Sequence, residues 1–522
     1  MANLCKHIKD CFCLETESLL WGLICTTAVF SYSNNMVDAY ISSKWYFTLL
    51  ALCFSVTFLS IWNILHNKIF KIKLTTYYKI IITISLLQSL YGLYQWTRPT
   101  LNNNHWICGS FDNPTGFAAC LIGGFPFALG WKAKNKIEEK AIWMFAFIVI
   151  VTIFLSESRS GILSLTIMCL IICHKHFYLK VRRLYITIGS LFFIVCLYFL
   201  KKDSADGRLL IWKCSWEMFK EAPFLGHGLN SFRANYMKYQ AEYFKQSPDS
   251  AYTILADNVL HPFNEYWHIL LNWGVIGLFI LIIFIVFLLR IYISNPDSNK
   301  KIAILSLIGI GIFSLFSYPF SYPFIWLIVC FDLYILLKDL FNISQHLRIY
   351  LYILAIVGGM IGSYKIIQFI HAEYCWKNIA YKTSKNSLLC YNDLYKTLDK
   401  NPYFLYNYAV FLLRIGDYGK SLEITLECQK YWSDYELELL LGNILQSQGN
   451  FHAAEIHFQE AFFMCPSRFI PLYYLMELYK KNGNLEKCQT TARLIIKKPI
   501  KINSPQIHLI KTRAKQLISE AQ

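Results

Sequence analysis

Apolar runs long enough to cross a bilayer recur through the first 370 residues, so the backbone there must satisfy its own hydrogen bonds within lipid. Crossing the hydrocarbon layer takes about 20 apolar residues of α-helix at about 1.5 Å per residue. Only 16% of the residues are charged and 55% are hydrophobic, whereas about a quarter are charged in soluble domains. We therefore expect an all-α, polytopic membrane protein of about eleven transmembrane helices. The predicted spans lie near residues 19–35, 45–65, 78–96, 115–131, 141–156, 161–174, 184–200, 267–290, 302–317, 321–337 and 350–369.

The charges between these runs predict the orientation of the chain. There are 50 Lys and Arg residues against 33 Asp and Glu residues, a formal net charge of +17. In a soluble protein this surplus would suggest a nucleic-acid partner, but here the basic residues fill every second loop. The positive-inside rule then places the amino terminus in the cytoplasm and the carboxyl terminus outside. We expect a transmembrane domain over residues 1–370, with a large periplasmic loop at about 201–266, and a periplasmic domain over residues 385–522.

The sequence of this second domain repeats. Gly-Asp or Gly-Asn pairs begin at Gly416, Gly449 and Gly483, at spacings of 33 and 34 residues. The period and the small residues around it resemble tetratricopeptide repeats over roughly residues 390–500, in which helical hairpins stack to bury their apolar faces. Such an array offers a concave surface for a peptide or protein, or it acts as a structural cap on the membrane domain. Five cysteines after residue 370 are available for a disulfide of undetermined pairing: Cys375, Cys390, Cys428, Cys465 and Cys488.

Residues 207–232 interrupt the apolar pattern with an amphipathic segment. Trp212, Trp216 and Phe219 recur at helical spacing, which predicts a helix with an aromatic face suited to the membrane interface. Arg208 is expected in the first turn of this helix, where unpaired backbone N–H groups favour an anion. The alternative is that Arg208 extends to lipid headgroups.

Two other segments on the predicted outer side carry ionisable side chains. Arg159 lies in a short turn between two apolar runs, and its alternative role is an ion pair with Glu157. His261 stands directly before the next span, where a packing role is the alternative. Guanidinium groups match phosphate oxygens, and a histidine of near-neutral pKa can take a proton from a hydroxyl. These residues predict glycosyl transfer from a lipid-linked diphosphate without metal or cofactor, because the loops lack DxD-like carboxylate pairs and His/Cys ligand spacing.

Three stretches together resemble the superfamily of O-antigen ligases, O-antigen polymerases and bacterial protein O-oligosaccharyltransferases. They are "SESRSG", "GRLLIWKCSWEMFKEAPFLGHGLNSF" and "HPFNEYWHILLNWGVIGL", in that order. The resemblance implies a polytopic protein of the bacterial inner membrane with a large periplasmic loop. It also implies a metal-independent, inverting transfer of a glycan from undecaprenyl diphosphate onto a periplasmic hydroxyl.

Carried over residue by residue, the resemblance implies specific roles. Arg159 and Arg208 would hold the donor diphosphate, and His261 would activate the acceptor hydroxyl. Lys213 would add positive charge near the donor. The residues that would shape or support the site are Gly226, Gly228, Asn230, Asn264 and Glu265. Of these, Glu265 would orient the base or act as one.

The chain departs from its relatives at the position of the base. Many relatives carry a His-Asn pair eleven and ten residues before the glycine that matches Gly274, whereas Phe263 stands in place of the histidine here. His261, two residues earlier, would then act from the preceding turn. His227 and His268 are competing candidates.

The sequence does not determine the acceptor of the glycan. Lipid A-core, a periplasmic protein's Ser or Thr, and another glycan (which would make the protein a polymerase) are the candidates. The repeats favour engagement of a protein, as acceptor or as partner. A non-enzymatic transporter of lipid-linked glycan is less favoured, because the ionisable groups gather at one face of the membrane instead of its midplane. A scaffold that docks partners through the repeats is the third alternative.

Overall fold

The computed structural model describes residues 2–66, 73–98, 107–131, 133–173, 199, 202–340, 344–382 and 385–520. Over these residues the secondary structure is helical and no strand is present. The predicted span at 184–200 lies, apart from Phe199, outside the described residues. The chain divides into two compact units, one of Met1–Ile194 with Leu281–Lys377 and one of Val195–Ile280 with Asn378–Gln522.

The first unit contains the apolar helices. They are α1 (Ala2–Phe30), α2 (Ile41–His66), α3 (Leu74–Thr97), α4 (Pro114–Leu129), α5 (Lys136–Leu155), α6 (Arg159–Cys173), the second half of α9 (Glu265–Ser294), α10 (Ser298–Ser314), α11 (Pro323–Leu337) and most of α12 (Gln345–Ile379). Short 3-10 turns at Pro319–Ser321 and Lys338–Leu340 flank α11.

Helix α4 is the centre of this unit. It packs against α3, α5, α6, α10 and α11, and most of its side chains are buried. Two glycines permit the close approach of its neighbours: a Cβ on Gly124 would lie 1.9 Å from the Ser85 hydroxyl, and one on Gly116 would lie 2.4 Å from the Tyr322 ring. The Asn113 side chain caps the helix by accepting from the Gly116 N–H at 2.9 Å.

The number of helices able to cross a membrane is smaller than predicted. In the described part of the chain, three are long and apolar enough by length and composition, namely α2, α9 and α12. Helices α4, α6 and α11 have 16, 15 and 15 residues, and 15 residues rise only about 22 Å against about 30 Å of hydrocarbon. The count of eleven spans is therefore not supported. Apolar composition alone does not distinguish a helix that crosses a bilayer from one that is buried among other helices, as α4 is.

The second unit contains the large loop and the repeats. The loop supplies α7 (Lys202–Glu221), α8 (Ser231–Gln246) and the first half of α9. The carboxyl-terminal part supplies α13 (Lys385–Leu398), α14 (Pro402–Arg414), α15 (Tyr418–Gln429), α16 (Tyr435–Ser447), α17 (Phe451–Met464), α18 (Ile470–Lys481), α19 (Leu485–Lys497) and α20 (Pro505–Ser519). The five cysteines after residue 370 are not disulfide-bonded.

The predicted repeat period corresponds to three helical hairpins, α14–α15, α16–α17 and α18–α19. Each hairpin turn has a glycine at a φ of 72° to 85°, followed by an Asp or Asn whose side chain caps the second helix: Gly416–Asp417, Gly449–Asn450 and Gly483–Asn484. Within the middle hairpin, a Cβ on Gly442 would lie 2.3 Å from the Phe458 ring, so glycine allows this aromatic side chain to pack directly on α16.

The loop and the repeats share one hydrophobic core, in which α8 packs between α7 and α17. The buried Gln240 amide joins them, because it donates to the Met464 carbonyl at 2.6 Å and accepts from the Tyr236 hydroxyl at 2.7 Å. An ion pair between Arg468 and Asp257 at 2.6 Å lies at the same junction. The loop, which the sequence groups with the membrane domain, thus belongs to the same compact unit as the repeats.

Candidate functional site

One face of α7 lies against the turn that contains His261. The Arg208 guanidinium carbon is 5.1 Å from the centre of the Phe263 ring, and the Trp212 indole Nε1 donates to the Pro262 carbonyl at 2.9 Å. Arg208 and Trp212 are four residues apart and therefore share this face of the helix. The structure thus places Arg208 next to the turn that contains His261.

The position of Arg208 within its helix differs from the prediction. Helix α7 begins at Lys202 instead of just before Arg208, and Asp203 occupies its first turn. Arg208 is consequently beyond the unpaired N–H groups at the helix terminus, which are confined to the first four residues. Its capacity to bind an anion rests on its own guanidinium group.

The start of α9 is fixed onto the same face of α7. The Asn264 side chain accepts from the Trp267 N–H at 2.9 Å and so caps α9. The Trp267 indole donates to the Ser215 hydroxyl at 2.7 Å and stacks on Trp216 with ring centres 5.8 Å apart. The tryptophans of the predicted amphipathic face therefore hold the His261 turn in register with α7.

His261 is kept neutral by its surroundings. Burial, with smaller contributions from the positive charges of His268 and Arg233, lowers its pKa to about 4. A neutral imidazole at neutral pH has a lone pair available for a proton. An anionic substrate beside it would raise the pKa and make proton transfer to the ring more favourable.

The two competing histidines have other partners. His227 Nε2 donates to the Met218 carbonyl at 2.7 Å, which fixes its ring against α7. His268 Nδ1 lies 3.5 Å from the Glu265 carboxylate, one turn earlier in α9. Glu265 is therefore a partner of His268, and the role of His261 as the base stays a prediction.

The glycine turn after α7 fits into a break in α9. Gly274 has φ 63° and ψ −164°, so the helix is interrupted there and nearby backbone groups lose their helical partners. The turn replaces those partners: His227 and Gly228 donate to the Leu271 and Asn272 carbonyls at 2.9 and 3.0 Å. In return, the N–H groups of residues 275 and 276 donate to the carbonyls of residues 223 and 224, at 2.8 and 3.3 Å. These reciprocal hydrogen bonds join the turn after α7 to the kink in α9 and account for the spacing of the glycines.

Three of the predicted loop-shaping residues have positive φ: Gly226 at 69°, Gly228 at 90° and Asn230 at 60°. Asn230 directly precedes α8, and the next residue, Ser231, donates to the Asn272 side chain at 2.8 Å. The turn therefore ends as it begins, attached to the kink in α9.

Lys213 is not brought to this face. The Lys213 ammonium lies 4.8 Å from the centre of the Tyr243 ring of α8, on another side of α7 from Arg208. Arg159 belongs to the first unit, where it begins α6 after a turn in which Glu157 has a φ of 53°. Its part in donor binding stays a prediction.

Arg233 is not among the residues that the sequence predicts for the site. This residue lies in the first turn of α8, and its charge acts on the pKa of His261. Its guanidinium carbon is 4.7 Å from the centre of the Tyr403 ring in the repeats. No local sequence signal indicated it, because the aromatic ring that it contacts comes from the repeats much later in the chain.

Residues 144–282 match the O-antigen ligase family model. The match covers Arg159, Arg208 and His261, and it supports a function of the O-antigen ligase or polymerase type. Members of that family are glycosyltransferase-like enzymes, and the family suggests a lipid-linked glycan as substrate. Together with the apolar helices, the match points to a membrane protein.

Two other comparisons add no functional information. No curated protein matches the chain. The crystal structure of yeast Tom70 is similar over 90% of this chain and 96% of that chain at 10% identity, but its TM-score of 0.27 is too low for any argument.

Proposed function

We propose that this protein transfers a glycan from undecaprenyl diphosphate onto an acceptor hydroxyl on the periplasmic side of the bacterial inner membrane. The observation that carries the proposal is the placement of Arg208 and Trp212 against the turn of His261, at 5.1 Å and 2.9 Å from its Phe263 and Pro262. A cation that suits a phosphate thereby lies against the turn that carries a neutral base. The family match over residues 144–282 supports the same reaction class.

The proposed chemistry is a single displacement. Arg208 would bind the diphosphate and stabilise the negative charge that develops as it leaves, and the family resemblance gives Arg159 the same role. His261 would take the proton from the attacking hydroxyl, so the hydroxyl oxygen bonds to the sugar carbon as the diphosphate departs. Attack opposite the leaving group inverts that carbon. In this proposal the diphosphate leaves without a general acid or a metal.

Arg208 is tested by a substitution series in membranes charged with a lipid-diphosphate oligosaccharide. Arg208→Ala should reduce transfer at least about a hundredfold. Arg208→Lys should restore only part of this activity, because lysine lacks the planar guanidinium group that donates two parallel hydrogen bonds. Lys213→Gln is the comparison within the same helix, since Lys213 also lies over an aromatic ring but on a different face. We expect it to reduce transfer less than about threefold.

Full transfer by both Arg208→Ala and His261→Ala would contradict this assignment. In that case a scaffold or a transporter would remain as the function. A transporter is distinguished from a transferase and from a scaffold by measuring flipping of the labelled lipid in the same membranes.

For the acceptor we propose lipid A-core or a periplasmic protein's Ser or Thr, with a glycan acceptor as the alternative. Because the repeats share a core with the loop, deleting residues 385–522 would expose buried side chains of α8 and damage the loop itself. The acceptor is therefore tested with the full chain and its Arg208→Ala variant. Loss of laddered lipopolysaccharide alone would indicate a lipid acceptor, loss of glycoproteins alone a protein acceptor, and shortened lipid-linked chains a polymerase.

A further inference from the structure

Arg233 has an unusual environment for a charged side chain. Its Nε and Nη2 atoms are buried, and neither has a hydrogen-bond acceptor in the part of the protein that the structure describes. Burying a guanidinium group without a counter-charge or hydrogen bonds is unfavourable, so such a group is expected to serve a ligand.

The two atoms are on the same edge of the guanidinium group. The Nε–H and Nη2–H bonds point in nearly the same direction, which allows them to donate to two oxygens of one phosphate or carboxylate. One planar face of the guanidinium group is covered by the Tyr403 ring, whose centre lies 4.7 Å from the guanidinium carbon. The edge is thus fixed in direction by stacking but has no protein partner among the described residues.

Further donors from the repeats lie at this junction. Trp432 packs on the same Tyr403 ring with ring centres 5.5 Å apart, and the Ser433 N–H donates to the Arg233 carbonyl at 3.0 Å. The Trp432 Nε1 and the Ser433 hydroxyl are also buried without a described hydrogen-bond partner. Four unsatisfied polar atoms from three residues therefore gather where α8 meets the repeats, and all four can donate.

The neighbouring acid does not balance the charge of Arg233. The Asp434 carboxylate accepts from the Glu436 N–H at 2.8 Å and from the Asn258 amide at 3.2 Å. Burial raises the pKa of Asp434 to about 7, which weakens its negative charge at neutral pH. The junction therefore has an excess of hydrogen-bond donors, and the Asp434 carboxylate accepts from other groups.

We propose that Arg233, together with the Trp432 indole N–H and the Ser433 hydroxyl, binds an oxyanion at the junction of the loop and the repeats. The ligand is a phosphate or carboxylate group of the substrate. The donor's diphosphate and an acidic sugar of its glycan are the two sources of this chemistry. The inference rests on the proposed function for the identity of this ligand, whereas the binding itself is measured without an acceptor or a reaction.

The test uses the full chain in detergent, titrated calorimetrically with inorganic pyrophosphate, inorganic phosphate or glucuronate at constant ionic strength in sodium chloride. Arg233→Gln should weaken oxyanion binding at least about tenfold, since it removes a charged bidentate donor. Trp432→Phe keeps the ring on Tyr403 but removes one donor, and it should weaken binding about fivefold. This second variant tests the site even if Arg233→Gln does not fold.

Arg468→Gln is the matched control. Arg468 also joins the loop to the repeats and lies over a tyrosine ring, at 5.8 Å from Tyr435, but its Nη2 donates to Asp257 at 2.6 Å. It should bind oxyanions as the wild type does. Without ligand, Arg233→Gln should melt at the same or a higher temperature than the wild type, whereas Arg468→Gln should melt lower because it breaks an ion pair.

If pyrophosphate is the ligand whose affinity falls most in Arg233→Gln, the donor's diphosphate is the source, and if glucuronate is that ligand, an acidic sugar is the source. The proposal is overturned if Arg233→Gln or Trp432→Phe binds as tightly as the wild type, or if the wild type binds none of the three at about 10 mM. Loss of transfer in Arg208→Ala with oxyanion binding intact would separate this site from the proposed reaction.

Discussion

Two glycines in the turn after α7 have the same kind of backbone but different surroundings, and they give a quantitative test of how the loop is held. Gly226 and Gly228 have φ of 69° and 90°. A Cβ on Gly226 would lie 2.4 Å from the Asn272 carbonyl carbon and 2.5 Å from the Trp273 nitrogen, which are backbone atoms. A Cβ on Gly228 would have no heavy atom within 4 Å. Gly226→Ala and Gly228→Ala therefore share backbone strain and differ in the steric clash.

The expected costs follow from these contacts. Left-handed strain costs about 1–2 kcal/mol in each variant. In Gly226→Ala, overpacking adds about 1–3 kcal/mol. Moving the turn away from α9 also weakens the hydrogen bonds donated by His227 and Gly228 at 2.9 and 3.0 Å, about 1 kcal/mol each. We expect local destabilisation of about 4–7 kcal/mol for Gly226→Ala and about 1–2 kcal/mol for Gly228→Ala.

Hydrogen exchange with mass spectrometry measures this difference without requiring global two-state unfolding. A gap of about 3 kcal/mol corresponds to a more than about hundredfold difference in the local opening equilibrium. Peptides that cover residues 222–230 and 271–277 should both exchange faster in Gly226→Ala, because the two segments satisfy each other's backbone groups. Peptides from α20 serve as the internal control. Equal acceleration of hydrogen exchange in the two variants would refute the reasoning. So would faster hydrogen exchange in only one of the two peptides.

Three further predictions concern the turn of His261 and are checked by thermal or chemical unfolding. Because burial lowers the pKa of His261 from 6.5 to about 4, the unfolded chain takes up the proton first as the pH falls through this range. The free energy of unfolding should therefore decrease by up to about 3 kcal/mol between these pH values, and His261→Gln should lack this component. Asn264→Ala removes the cap that accepts from Trp267 and should cost about 1 kcal/mol, whereas Asn264→Asp should cost less. Trp212→Phe loses the hydrogen bond to the Pro262 carbonyl and should cost about 1 kcal/mol while reducing transfer, since the turn then loosens from α7.

The parts of the fold that could be predicted from sequence are those set by local periodicity. The helical spacing of Trp212, Trp216 and Phe219 predicts α7, and the glycines at spacings of 33 and 34 residues predict the turns of the hairpins. The predicted count of eleven spans is not supported, because hydropathy measures the length of an apolar run and not whether lipid or other helices surround it. Helix α4 is as apolar as a lipid-facing helix, yet it is buried among other helices through close contacts at Gly116 and Gly124.

The junction of the loop with the repeats has no local signature, because its contacts join residues more than 150 positions apart. From the sequence, Gln240 is a polar residue on an amphipathic helix. Only the fold shows that its amide donates a hydrogen bond to the Met464 carbonyl within a shared core. The same holds for Arg233, whose sequence neighbours do not indicate that Tyr403 covers its guanidinium face. Since the side chains that stabilise α8 come from the repeats, the loop that carries Arg208 and His261 depends on them for its shape. The repeats are therefore part of the candidate site's structural support, and a repeat substitution such as one at Met464 should alter the loop before it alters any partner binding.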